Sequence, residues 1–142
     1  MPTFPTRDWM REFCGHLAVH PDAKQVAEAL DGDYRFVIDP AGPLEERHSY
    51  DVRIAPAEGA DAGRPEVRLL DGGDGEVQPT LELIANHDRW RQLIKGELDV
   101  GMALMLRRVK VRGDTSRLIG RLGSSKTLMG ALGQVQTEWL DE

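Results

Sequence analysis

The chain has 142 residues, 40% of them hydrophobic and 30% charged, and 18 basic against 24 acidic side chains leave a formal charge of −6. This length fits one domain, and folding it hides roughly 70% of the unfolded chain's surface, enough for a core without disulfide or metal staples. Such a composition excludes a disordered chain. The acidic balance argues against nucleic-acid partners, whose phosphates need a cationic footprint, and no apolar run reaches the ~18 residues of a membrane span.

The opening, MPTFPTRDWM, lacks the basic-then-apolar layout of a secretory leader. Cys14 is the only cysteine, so no internal disulfide can form and a reducing compartment is expected. Arginine outnumbers lysine 14 to 4, a bias that GC-rich bacterial coding produces. The expectation is a cytoplasmic bacterial protein with a single domain over 1–142, N-terminal helices over 7–30 and a core over 34–139.

Along the chain, Trp9, Met10, Phe13, Cys14 and Leu17 recur at helical spacing over residues 7–19. Pro21 closes that segment, and Ala23, Val26, Ala27 and Leu30 form the inward stripe of a second helix. The period then drops to two. Tyr34, Phe36 and Ile38 predict one strand, and Tyr50, Val52 and Ile54 a second, with Ala41-Gly42-Pro43 as the turn between. Val67 and Leu69 predict a third strand beyond a long hairpin loop, and Leu81 and Leu83 a fourth. Helical spacing returns at Trp90, Leu93 and Ile94, with Asn86 as N-cap and Gly96 as the stop. Asp99 is placed to cap a short helix through Leu106, and Val109 and Val111 alternate with cations in a fifth strand. A helix over 115–122 and a last one from Ser124 or Ser125 to about 139 complete an α+β reading with a mostly antiparallel sheet.

Few residues carry obvious chemistry. His16 and His20 are four apart on the first predicted helix, but Leu-Ala-Val between them lacks the glutamate of a zinc-protease helix. Further ligands would have to come from Asp22, His48 or His87. The reading is therefore no metal and no other cofactor. Cys14 belongs to the apolar stripe and reads as core. Gly120–Thr127 lacks the glycine spacing of a phosphate loop, and Asp71, Asp74 and Glu76 read as a solvated hairpin tip. No catalytic pair or triad emerges, so no enzyme activity is expected. Two features depart from the ordinary. Between Arg107 and Arg121 six cations face the single acid Asp114, and Met102, Met105 and Met129 join leucines near the end of the chain. The first suits an anionic headgroup, an acyl carboxylate or an acidic membrane, or else an ordinary solvated face; the second suits an adaptable apolar cavity or plain core packing.

The stretch Trp90–Leu122, with Gly96, Leu98, Asp99, Ala103, Val109-Lys110-Val111, Gly113 and Asp114, resembles the sterol carrier protein type 2 domain. The similarity extends over about residues 34–135. It implies a five-stranded, mostly antiparallel sheet covered by helices and enclosing a hydrophobic tunnel. The resemblance further implies a non-enzymatic carrier of a fatty acid, acyl-CoA, phospholipid or sterol-like ligand. Carried onto this chain, the tunnel lining falls to Met102, Met105, Leu106, Leu118, Leu122, Leu128, Met129 and Leu132. Arg107, Arg108 and Arg112 are expected to meet a headgroup or an anionic membrane surface. The family usually has glycine where this chain has Arg107. The C-terminal Leu-Asp-Glu is not a peroxisomal address. The alternative expectation is an interaction or dimerisation module on the same fold, motivated by exposed apolar residues at the termini, Phe4 and Trp139 among them; monomer and homodimer both stay open.

Overall fold

The computed structural model describes residues 2–56, 65–70, 79–113, 126–128 and 130–140. Strand β1 (Thr3–Phe4) leads into helices α1 (Arg7–Ala18) and α2 (Ala23–Ala29). Strands β2 (Gly32–Asp39), β3 (His48–Ala55), β4 (Glu66–Leu69) and β5 (Leu81–Asn86) follow. Helices α3 (His87–Ile94) and α4 (Val100–Met105), strand β6 (Lys110–Gly113), a 3-10 turn (Ala131–Gln134) and strand β7 (Glu138–Trp139) complete the described elements.

Strands β2 to β6 form one sheet in the order β4-β3-β2-β5-β6, in which only the β2–β5 neighbours run parallel. Period-two patterning turns Tyr34, Phe36, Ile38, Tyr50, Val52, Ile54, Leu81, Leu83 and Ala85 into one buried face. Both main helices bury their apolar stripes in the same core, Trp9, Met10, Phe13, Cys14 and Leu17 from α1 and Trp90, Leu93 and Ile94 from α3. Ring contacts thread this core from Trp9 through Phe13 (6.1 Å) and Phe36 (5.7 Å) to Trp90 (5.9 Å), tying α1 to α3 across β2. The Trp90 indole N–H donates to the Val37 carbonyl at 2.9 Å, so the ring's one polar atom is satisfied inside.

The opposite face fixes the register electrostatically. Asp33 lies directly opposite Arg53 and Arg35 opposite Asp51. Their closest contacts are 2.9 and 2.7 Å, and a slip of one residue would break both pairs. The Asp51 hydrogen bond, ahead of an opposing desolvation effect, holds the Arg35 pKa above its ordinary value.

Three expectations need correction. The helix expected to run to about 139 gives way to the 3-10 turn, then extended chain from Val135, then β7. Gly130 and Gly133, poor helix formers, accompany that break. Gly133 also lies tight against Ile94, whose carbonyl oxygen would be 3.1 Å from an added Cβ. Second, α1 ends at Ala18, so His20 lies past the helix rather than one turn along it from His16. Third, Phe4 and Trp139 are 1% and 6% exposed, because β1 and β7 pair in parallel and close the two ends of the chain together. The Glu138 N–H donates to the Pro2 carbonyl at 3.0 Å, and the Trp9 indole N–H to Thr137 Oγ1 at 2.9 Å. Arg91 and Lys95 lie 4.9 and 5.7 Å from the Trp139 ring centroid on the solvent side of this clasp. The helix expected over 115–122 lies outside the described residues.

Candidate functional site

The segment from α3 to β6 is built by a succession of caps. Asn86 Oδ1 accepts the Arg89 N–H at 2.8 Å and starts α3. Gly96, with φ +74°, ends it. Asp99 Oδ2 then accepts the Met102 N–H at 3.1 Å and starts α4. At the other end of α4, Arg107 has φ +55°, and the Arg108 N–H donates to the Ala103 carbonyl at 2.8 Å. A left-handed residue followed by that six-to-one hydrogen bond is a Schellman C-cap, whose left-handed position is ordinarily glycine. The structure therefore gives the physical meaning of the sequence departure at Arg107: a bulky cation is held where the backbone favours glycine.

Helix α4 presents an unusual surface. Ala103 is 1% exposed and anchors it, whereas Met102 (48%), Met105 (77%) and Leu106 (52%) lie on the outside. Spaced i, i+3 and i+4, they share one helical face. Immediately after them come Arg107 and Arg108, then Lys110 and Arg112 on β6, all four exposed. None of these cations is within ion-pair reach of a carboxylate among the described residues. Val109 and Val111 point the other way, Val109 into the core and Val111 packed against it.

Of the eight apolar residues expected to line a tunnel, five are among the described residues. Met102, Met105 and Leu106 face solvent, whereas Leu128 and Leu132 are buried at 0% and 1% exposure with Ile94 and Val135 in the common core. Leu118, Leu122 and Met129 lie outside the described residues. Of the three cations expected to meet a headgroup, Arg107, Arg108 and Arg112 are all exposed and lie on one short stretch of chain.

The other candidate groups are occupied locally. His20 Nδ1 accepts the Asp22 N–H at 3.0 Å, His16 Nε2 lies 3.9 Å from Glu12, and His48 Nδ1 is 3.0 Å from the Tyr50 hydroxyl. Sequence reasoning missed the burial of His87. Its ring is fully enclosed beside Phe4 and Trp139, at centroid distances of 5.7 and 6.1 Å. Its position as the first residue of α3 gave no local signal of this, because both neighbouring rings come from the chain ends. Cys14 is 5% exposed, and burial, opposed by a backbone hydrogen bond, pushes its thiol pKa up to about 12. A thiol so protonated is a packing group, not a nucleophile. Asp71, Asp74 and Glu76, and residues 120–125 of the glycine-containing stretch, lie outside the described residues.

Comparison with known proteins gives this geometry a context. Among solved structures, a conserved hypothetical protein of Thermus thermophilus, suggested to be a sterol carrier protein, superposes with a TM-score of 0.71. The two share 15% identity over 94% of this chain and 90% of the other. A crystal structure of sterol carrier protein 2 gives 0.70, at 14% identity over 90% of this chain and 95% of the other. The UbiJ-SCP2 ubiquinone synthesis protein gives 0.52, at 13% identity over 89% and 93%. At these identities the likeness is one of fold. No curated protein has significant sequence similarity to the chain. The model of the SCP-2 sterol transfer family matches residues 14–118, well over half the sequence, from the later part of α1 through β6. The chain belongs to the SCP-2 sterol transfer family.

Proposed function

We propose that this protein is a lipid carrier, without catalysis of its own, that shelters the apolar part of a fatty acid, acyl-CoA, phospholipid or sterol-like molecule. The single observation behind the reading is the family membership over residues 14–118, which brings lipid binding and transfer as the shared activity. The composition of the C-terminal third supports it. Leu118, Leu122, Leu128 and Leu132 supply apolar side chains for an alkyl chain to pack on, and Met129 adds an unbranched one that adapts to its shape. Leu128 and Leu132 belong to the common core, so in this reading a bound tail runs along its edge. Its binding energy comes from apolar burial, at ~25 cal/mol per Å² removed from water. The polar end is left near the cations Arg107, Arg108 and Arg112. The same reading takes the protein as a bacterial cytoplasmic one.

The alternative of an interaction or dimerisation module has less support, because the terminal apolar residues that motivated it, Phe4 and Trp139, are buried against each other. The test is native mass spectrometry of the freshly purified protein, then organic extraction and lipid identification. The expected result is an excess of a few hundred daltons that extracts as fatty acid or phospholipid. A clean apo mass that stays apo after incubation with fatty acids and acyl-CoA overturns the reading.

A further inference from the structure

We propose that helix α4 and the turn after it form the surface on which this protein docks to an anionic lipid bilayer. The inference deepens the lipid-carrier reading and rests on it for its purpose, since a carrier must meet the membrane it loads from. It is argued from separate observations.

The first observation is the apolar face that α4 turns outward. A six-residue helix in water is stabilised mainly by the face it buries, and here Met105 is 77% exposed with Met102 and Leu106 about half exposed beside it. Single exposed apolar residues are ordinary, but three large ones on one face form a patch. Methionine and leucine at the surface, backed by cations, have the make-up of a segment that lies in the headgroup region of a membrane.

The second is charge. In a chain of net charge −6, Arg107, Arg108, Lys110 and Arg112 occupy six consecutive positions with no acid among them. The nearest acids along the chain before this stretch, Glu97 and Asp99, precede α4, and Asp99 is engaged as its N-cap. Glu82 lies opposite Arg112 on the neighbouring strand, so Arg107 and Arg108 are the cations best placed beside the apolar face. An anionic bilayer matches both halves of the patch: phosphates meet the cations while the acyl boundary accepts the methionines.

The third is backbone strain at the junction of the two halves. Arg107 adopts φ +55° at a position that glycine would fill at less cost. Backbone strain of this kind clusters at functional surfaces, and here it sits where the exposed cations meet the exposed apolar face.

The experiment is co-sedimentation of the full chain with vesicles of phosphatidylcholine alone and with 30 mol% phosphatidylglycerol, beside fluorescent fatty-acid retention in vesicle-free solution. Binding is expected to the phosphatidylglycerol vesicles only, weakening as ionic strength rises. Replacing Arg107→Gly and Arg108→Ser together should weaken it about 25-fold, roughly fivefold for each cation. Met105→Ser with Leu106→Ser should weaken it tenfold or more. Both residues are exposed, and the melting temperature reports that the fold is intact.

Equal binding to both vesicle types, or binding that survives these substitutions, overturns the proposal. So does a wild-type dimer, seen by light scattering, that Met105→Ser with Leu106→Ser converts to monomer, since the patch would then face a second copy. Loss of fatty-acid retention along with vesicle binding in the α4 variants also overturns it, by assigning α4 to the ligand site. Fatty-acid retention without vesicle binding refutes docking and leaves carriage standing; vesicle binding without any ligand uptake does the reverse.

Discussion

Replacing Arg107→Gly should make the protein more stable, although it removes a side chain from a charged surface that a reader of the sequence would leave alone. With φ +55°, Arg107 occupies the left-handed region, which costs an L-residue about 1–2 kcal/mol because Cβ crowds the following carbonyl. Glycine escapes that cost but gives the unfolded chain more freedom, an offset of about 0.5–1 kcal/mol. A cation near the end of α4 also interacts favourably with the helix carbonyls, by a few tenths of a kcal/mol at an exposed site. The balance favours glycine by about 0.5 kcal/mol, which for a domain of this size raises the melting temperature by roughly 1–3 °C. The control is Arg107→Ala, which removes the same charge but keeps the strained backbone and should melt at or slightly below wild type. Calorimetry or circular dichroism on the three proteins decides it. If the glycine variant melts no higher than wild type, or if glycine and alanine are indistinguishable, the reasoning about the C-cap fails. Arg107→Gly is also expected to weaken binding to anionic vesicles about fivefold, so stability and docking would move in opposite directions at one residue.

Three further outcomes follow from the same structure. Gly113 sits at φ +106°, and a Cβ there would run into the Thr80 carbonyl. Gly113→Ala should therefore cost about 2–3 kcal/mol, visible as a lowered urea midpoint, whereas a neutral effect would contradict the pairing of β6 with β5. The Asp33–Arg53 and Arg35–Asp51 pairs, partly exposed and directly in register, should each show a coupling of about 0.5–1 kcal/mol in a double-mutant cycle, smaller at 1 M salt. For Cys14 the sign follows from a thiol pKa raised in the folded state to about 12 from an ordinary 9.0. Its protonated form contributes fully below pH 9, and that contribution fades as pH rises toward 12. The loss by pH 11 is about 2–3 kcal/mol, so Cys14→Ala should flatten the alkaline fall in stability relative to wild type, measured by urea unfolding at pH 8 and pH 11. Parallel alkaline curves would show that the thiol is not protected.

Local patterning carried most of this architecture because the helices and strands here obey their own periods. Every apolar residue of the α1 stripe is buried, the β2 and β3 alternations face the core, and Asn86 and Asp99 cap the helices they precede. What local patterning does not contain is pairing between distant segments. Leu128, Leu132, Val135 and Trp139 repeat at helical spacing, yet Trp139 is drawn into a strand by Phe4, 135 positions earlier. The parallel contact of β2 with β5 is equally invisible, since nothing in either strand names its neighbour. The candidate site was legible by composition only. Its methionines, leucines and arginines stood out, but an amphipathic pattern says that one face differs from the other without saying which one is covered.

That ambiguity marks a division of labour in the fold. The aromatic chain from Trp9 to Trp90 and the clasp of Phe4 with Trp139 fix α1, the sheet and α3 with buried contacts, so large-to-small changes there should cost several kcal/mol each. Among the described residues, helix α4 is tied to this body by Ala103 and the Arg108 hydrogen bond and started by the Asp99 cap, with Met102, Met105 and Leu106 turned outward. Residues that bury little are free to vary without unfolding the protein, so folding alone gives no reason for Met102, Met105, Leu106 and Arg107 to be apolar, apolar, apolar and strained. A glycine at 107 and polar residues on the outer face would satisfy the chain better in water. On the docking proposal the outer face of α4 meets a bilayer, and the adjoining cations set the sign of the charge that bilayer must carry.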